Sequence, residues 1–185
     1  MTKHAFAPFL ISPVKDRDSI KVFAISDKYE SVHAAVEIML IDFDGNILKQ
    51  DRKQVVLAEN SSMQVFGINE ADWVNEITRK NVVLSMRLLV NDVAVSSNKY
   101  YFEKPKFLNL PKVKIGIKQI SENEIELTTG KLARSIWLLL PGTINAFSDN
   151  YFDLLPGEKR IVQVKSNDLK KLVRQIQVKS LSDAY

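Results

Sequence analysis

Val32–Asp42 reads VHAAVEIMLID. In an extended chain it places Val32, Ala34, Val36, Ile38 and Leu40 on one side and His33, Ala35 and Glu37 on the other. A period of two over eleven residues is the signature of a half-buried strand, so this stretch sets the class of the fold. The next residues, Asp42-Phe43-Asp44-Gly45-Asn46, carry turn chemistry, with Gly45 able to take a positive φ, and Ile47 and Leu48 begin the return of a hairpin. Upstream, Ser19–Ser26 alternates Ile20, Val22 and Ala24 against Lys21, Phe23 and Ile25, a strand with both faces partly covered.

Downstream, strands are expected at 54–57, 62–68 and 82–90, the last with Val82, Leu84, Met86 and Leu88 on one face and Asn91-Asp92 at its end. A short extended segment is expected at 98–103, where Tyr100, Tyr101 and Phe102 have the aromatic bulk that sheets favour. Asn69–Lys80 suits a short helix and a polar hairpin extension equally well. Two prolines bracket Lys104–Pro111, and a domain junction is expected there. Beyond it, strands are expected at 113–118, 124–128, 133–140, 159–165 and 175–179, with a compact aromatic and aliphatic group at Phe147 and Tyr151–Leu155 before the Pro156-Gly157 turn and a single turn or short helix at 169–173. Many short strands without recurring long amphipathic helices predict an all-β chain of two consecutive Ig-like β-sandwich domains. The expected division is a flexible N-terminal tail over 1–8, a first sandwich over 9–110 and a second over 111–185.

Composition narrows the function. The 185 residues fall short of the roughly 250 typical of an eight-stranded catalytic barrel. With 26 Lys and Arg against 22 Asp and Glu, the net charge is +4, too little and too dispersed to predict a nucleic-acid groove. The apolar run at 136–140 is bounded by Arg134 and the Pro141-Gly142 turn and is far below membrane-spanning length, so no membrane partner is expected. The first residues, MTKHAFAPFLISPV, read neither as an export signal nor as a stop-transfer segment. There is no cysteine, so packing and hydrogen bonds alone must hold the sheets.

The polar residues form no catalytic pattern. Asp42 and Asp44 resemble the start of a calcium loop, but Gly45 comes too early and no ligand series follows. Asp149, Asn150 and Asp153 could coordinate a cation, but the strand alternation and the adjacent Pro-Gly turn make backbone hydrogen bonding or an interdomain contact the default reading. His4 and His33 are isolated and predict no zinc site. Glu59, Glu70, Glu122, Glu124 and Glu158 show none of the pairing a glycosidase needs, and the serines lack a strand-to-helix elbow. No catalytic residue, cofactor or metal is predicted. Trp73, if exposed, is a candidate for stacking on a sugar ring, whereas Trp137 is expected in a core or at a domain contact. The lysines at 104, 106, 112, 114 and 118 read as a solvated linker and sheet edge. Asn60-Ser61-Ser62 fits the N-glycosylation pattern but assigns no compartment.

The segment AFSDNYFDLLPGEKRIVQV, Ala146–Val164, together with LARSIWLLL, Leu132–Leu140, and the junction-like 98–111, resembles the C-terminal Ig-like region of the β-mannosidase branch of glycoside hydrolase family 2. The resemblance extends from Phe9 onward and is most specific over Phe147–Glu158. It implies a noncatalytic tail of a larger, retaining exo-β-mannosidase whose two catalytic glutamates lie in a separate barrel. The barrel motifs are absent from this sequence, and no catalytic glutamate can be carried over. What it implies for Ser148, Asp149, Asn150, Tyr151, Asp153, Pro156, Gly157 and Glu158, as for Trp137, is turn and interface geometry. The implied partners are the remaining domains of the parent glycosidase. The competing expectation is an accessory module that binds mannose-containing glycans.

Overall fold

The computed structural model describes residues 7–143, 146–165 and 169–184. The expected N-terminal tail falls outside the described residues over positions 1–6, as does His4. The chain forms two compact units. One runs to Asp42 and resumes over Asn46–Leu108; the other comprises Phe43–Gly45 and the chain from Asn109.

In the first unit the alternating stretch is strand β3 (Val32–Asp42), placed centrally in a four-stranded antiparallel sheet. It pairs with β4 (Ile47–Leu57) on one side and β6 (Val82–Val90) on the other, and β6 continues to β7 (Val93–Tyr100). The facing three-stranded sheet has the order β1 (Phe9–Asp16), β2 (Ser19–Ser26), β5 (Ser61–Asn69). Between the sheets lies one apolar core. Ile20, Val22 and Ala24 from β2 meet Val36, Ile38 and Leu40 from β3 and Leu84, Met86 and Leu88 from β6. Each fully buried aliphatic side chain of this kind contributes about 1.5–3 kcal/mol relative to exposure.

One strand, β1, has no counterpart in the sequence expectation, and two, β4 and β7, differ from it in extent, each for a physical reason. β1 carries Pro13, which has no N–H to give; it is tolerated because β1 is an edge strand paired only with β2. β4 is continuous over eleven residues although Lys49–Lys53 are all polar, because it is an edge strand exposed on both faces along most of its length. β7 starts at Val93 rather than near Asn98. Asn91 and Asp92, at φ 51° and 59°, make a two-residue turn between the paired Val90 and Val93, and positive φ at both positions suits the right-handed twist of the flanking strands. Asn69–Lys80 resolves into helix α1 (Glu70–Trp73), capped by the Asn69 side chain accepting from Ala71 N–H, and a 3₁₀ turn at Thr78–Lys80.

Side chains close the open sides of this sandwich. At one side the Ile11 N–H donates to Ser96 Oγ at 3.1 Å, and Asn98 Nδ2 donates to the Ile11 carbonyl at 3.1 Å. At the other, Lys53 Nζ donates to the Val65 carbonyl at 3.4 Å and Lys49 Nζ to that of Asp72. The pairing of Lys49, Asp51 and Lys53 with Leu40, Ile38 and Val36 places these three charges on the core-facing side of the β4 edge, where they deter pairing with another chain.

The second unit has two three-stranded antiparallel sheets. One has the order β12 (Lys159–Gln163), β9 (Glu124–Thr129), β8 (Ile115–Gln119), and the other β11 (Phe152–Leu154), β10 (Ala133–Leu139), β13 (Gln177–Lys179). Ile125, Leu127, Ile136, Leu138, Leu154 and Val162 form its core, to which Leu169 of the short helix α2 (Leu169–Leu172) is added.

Candidate functional site

The segment 148–158 spends its polar groups on its own backbone geometry. β10 is interrupted by a bulge between Ala133 and Ile136, with Ser135 at φ 50° and Tyr151 at φ 62°, both in the left-handed region. Asp153 secures one side of the bulge by accepting from the Ser135 N–H at 2.7 Å, and the Tyr151 N–H donates to the Ile136 carbonyl at 2.7 Å. Asn150 acts as a further rung of the sheet, with Oδ1 accepting from Leu138 N–H at 2.7 Å and Nδ2 donating to the Leu138 carbonyl at 3.0 Å. Ser148 Oγ accepts from Gln163 N–H at 3.0 Å. Asp149 pairs with Arg160, whose guanidinium lies 5.3 Å from the Phe152 ring centre. After Pro156, Gly157 takes φ 79° and Glu158 accepts from the Leu155 N–H at 2.9 Å.

The two tryptophans lie on different elements. Trp73, in α1, is half-buried against the first core with Lys49 Nζ 5.8 Å from its ring centre. Trp137 is half-buried and alternates with the core residues Ile136 and Leu138 on the opposite face of β10, across from Lys179.

A buried ionic cluster holds the chain between β5 and β6. Glu70, 8 % exposed, pairs with Lys15, with Arg79 at 3.2 Å, and accepts from the Tyr100 hydroxyl at 3.3 Å. Arg79 also meets Glu76 at 2.9 Å and Glu103 at 3.2 Å. Burial, reinforced by the negative charge and hydrogen bond of Glu70, pushes the Tyr100 phenol up to about 12. Arg79 is shared by the three carboxylates of Glu70, Glu76 and Glu103, with Lys15 as the second cation on Glu70, which is the arrangement of a structural network.

The outer face of the four-stranded sheet carries the polar concavity that sequence reading missed. Register places Glu37 directly between Arg52 on β4 and Arg87 on β6. Its carboxylate accepts from Arg52 at 3.0 Å and from Arg87 at 2.7 Å, and Arg52 reaches on to Asp92 at 2.7 Å. Around this row lies a depression of about 430 Å³ lined by Glu37, Met39, Gln50, Asp51, Arg52 and Arg87. The signal available in the sequence was one charged residue at an outward position of each of three strands, but only the register shows that they meet.

Among the described residues there is no group of three or more His, Cys, Asp and Glu side chains that could hold a metal ion. Nor is any described helix long and apolar enough to cross a membrane.

Comparison with known proteins agrees with this architecture. Residues 18–106 match the family model for the mannosidase Ig/CBM-like domain, and residues 108–184 match that for an Ig-fold domain found under the mannosidase name. Among solved structures, the chain resembles a β-D-mannosidase from Dictyoglomus thermophilum, with a TM-score of 0.76 and 19% identity over 97% of this chain and 22% of that one. It also resembles an exo-chitosanase from Amycolatopsis orientalis, with a TM-score of 0.63 and 14% identity over 96% of this chain and 26% of that one. The chain thus spans about a quarter or less of the length of these enzymes. No curated protein sequence matches it.

Proposed function

We propose that this chain is a noncatalytic structural region of a larger retaining exo-β-mannosidase, in which two Ig-like modules, over 9–110 and 111–185, support and orient the other domains. The observation that carries this reading is the way the fold matches a β-mannosidase along nearly the whole chain while covering 22% of that enzyme. The chemistry of the 148–158 segment supports it. Asn150, Asp153 and Glu158 accept from backbone N–H groups and Asp149 pairs with Arg160, which leaves this motif organised for geometry rather than proton transfer. A segment whose polar groups are committed to its own backbone suits a module whose task is to hold a fixed shape against neighbouring domains.

The test has two arms. The 185-residue chain alone is assayed with an aryl β-mannoside and is expected to give no turnover above buffer; turnover would overturn the reading. In a longer β-mannosidase containing this region, its deletion is expected to lower soluble yield and the unfolding temperature while leaving turnover per correctly folded active site unchanged. Unaltered yield and unfolding would remove the structural role.

A further inference from the structure

We propose that the outer face of the β4-β3-β6-β7 sheet is a binding site for a neutral saccharide, centred on the row Arg52–Glu37–Arg87. The inference does not depend on the structural role proposed above. Its volume of about 430 Å³ lies within the range of about 300–1,000 Å³ usual for small-molecule sites.

Charge and hydrogen-bond capacity select the ligand class. The row carries two guanidinium groups, Arg52 and Arg87, and two carboxylates, Glu37 and Asp92, so its formal charges cancel and it offers no net attraction to an ion. An anion would have to compete with Glu37 for both arginines, and a cation would have to compete with both arginines for Glu37. A hydroxyl group both donates and accepts, and can join the row without breaking either pair. Donors remain for it. Arg87 is 43% exposed and uses only Nη2, on Glu37, while Nη1 makes no hydrogen bond among the described residues. Gln50 presents an amide donor and acceptor beside it, and Met39, directly across from Gln50, supplies an apolar surface for the C–H face of a sugar ring. The ion pairs hold the planar groups in place before a ligand arrives, which reduces the ordering cost of binding. The site differs from a single stacking platform at Trp73 because its contacts come from register-fixed polar side chains on adjacent strands.

The experiment is an NMR titration of the intact 185-residue chain with β-1,4-mannotriose and, separately, with trigalacturonate as an anionic counterpart of similar size. The expected result is saturable shifts of the Arg52 and Arg87 side-chain N–H signals and the Gln50 amide with the neutral sugar, and weaker binding of trigalacturonate. Arg87→Met keeps most of the aliphatic stem and is expected to weaken mannotriose binding by about tenfold, the scale of a lost charged hydrogen bond. Gln50→Ala takes no part in the ion-pair row, so it provides a second, less disruptive variant and is expected to weaken binding in the same direction. Far-UV circular dichroism checks that both variants are folded. The proposal is overturned by the absence of saturable shifts with mannotriose, by tighter binding of trigalacturonate, or by unchanged affinity in both folded variants.

Discussion

The side chain of Asn150 closes two hydrogen bonds on a single residue, Leu138, accepting from its N–H at 2.7 Å and donating to its carbonyl at 3.0 Å. A side-chain amide thereby substitutes for a strand backbone beside β10, beyond the last backbone pair of β11 at Phe152. Asn150→Ala leaves both groups of the buried Leu138 without these partners and is expected to destabilise the second unit by about 2–4 kcal/mol. Asn150→Asp keeps the acceptor and loses the donor, and is expected to cost less than the alanine change at low pH, where the carboxyl can be protonated. Urea unfolding followed by Trp137 fluorescence in a Trp73→Phe background, which leaves a single tryptophan, measures both.

Tyr100 links stability to alkaline pH. Its phenol is raised to about 12 in the folded chain, above an ordinary value of about 10 when unfolded. The folded state therefore holds this proton more tightly, and the associated stability is present below pH 10 and lost as pH rises through 12. Tyr100→Phe is expected to flatten this part of the stability profile. Unfolding temperatures measured from pH 9 to 12 for both proteins provide the check, and parallel profiles would contradict the assignment.

The charged residues along β4 predict an association phenotype. Replacing Lys49, Asp51 and Lys53 together with valine raises β-propensity and removes the charges from the core-facing side of an exposed edge. The expected outcome is concentration-dependent oligomers in light scattering, with β-sheet circular dichroism retained. A monomer at all concentrations would show that these charges do not guard the edge.

Ser135 occupies φ 50° in the β10 bulge. Ser135→Val introduces a β-branched residue there and is expected to cost about 1–3 kcal/mol, whereas Ser135→Gly removes the side-chain strain and is expected to be neutral or stabilising. Thermal unfolding shows a lower midpoint for Ser135→Val alone if the left-handed geometry is the cause. The same direction and size of change in both would assign the effect to the serine hydroxyl instead.

The parts of the fold legible in the sequence were those where one face of a strand is buried and the other is not. β2 follows its alternation from end to end, and β3 and β6 could be read because Val36, Ile38 and Leu40, and Leu84, Met86 and Leu88, repeat with period two even though their outward faces include the buried Ala35, Ile41, Val83 and Ser85. The central part of β4 and the start of β7 were hidden because solvent-exposed edge strands need no apolar alternation. Pro13 obscured β1 by removing a ladder donor at a position where the edge can spare it. The 148–158 motif was visible as a family resemblance, but its mechanical content was not. That Asn150 grips Leu138 and Asp153 secures Ser135 depends on which strand returns beside which. The Arg52–Glu37–Arg87 row was hidden for the same reason, because its members are separated by 15 and 50 positions in the sequence.

The grip of Asn150 has a chemical corollary. An asparagine ages by attack of the next residue's backbone nitrogen on its side-chain carbon, and here that nitrogen, on Tyr151, is engaged with the Ile136 carbonyl at 2.7 Å while both ends of the amide are held by Leu138. The folded sheet therefore restrains the cyclisation that begins deamidation. A chain found carrying aspartate or isoaspartate at position 150 would record time spent with this strand pairing undone, making the residue a covalent memory of past unfolding.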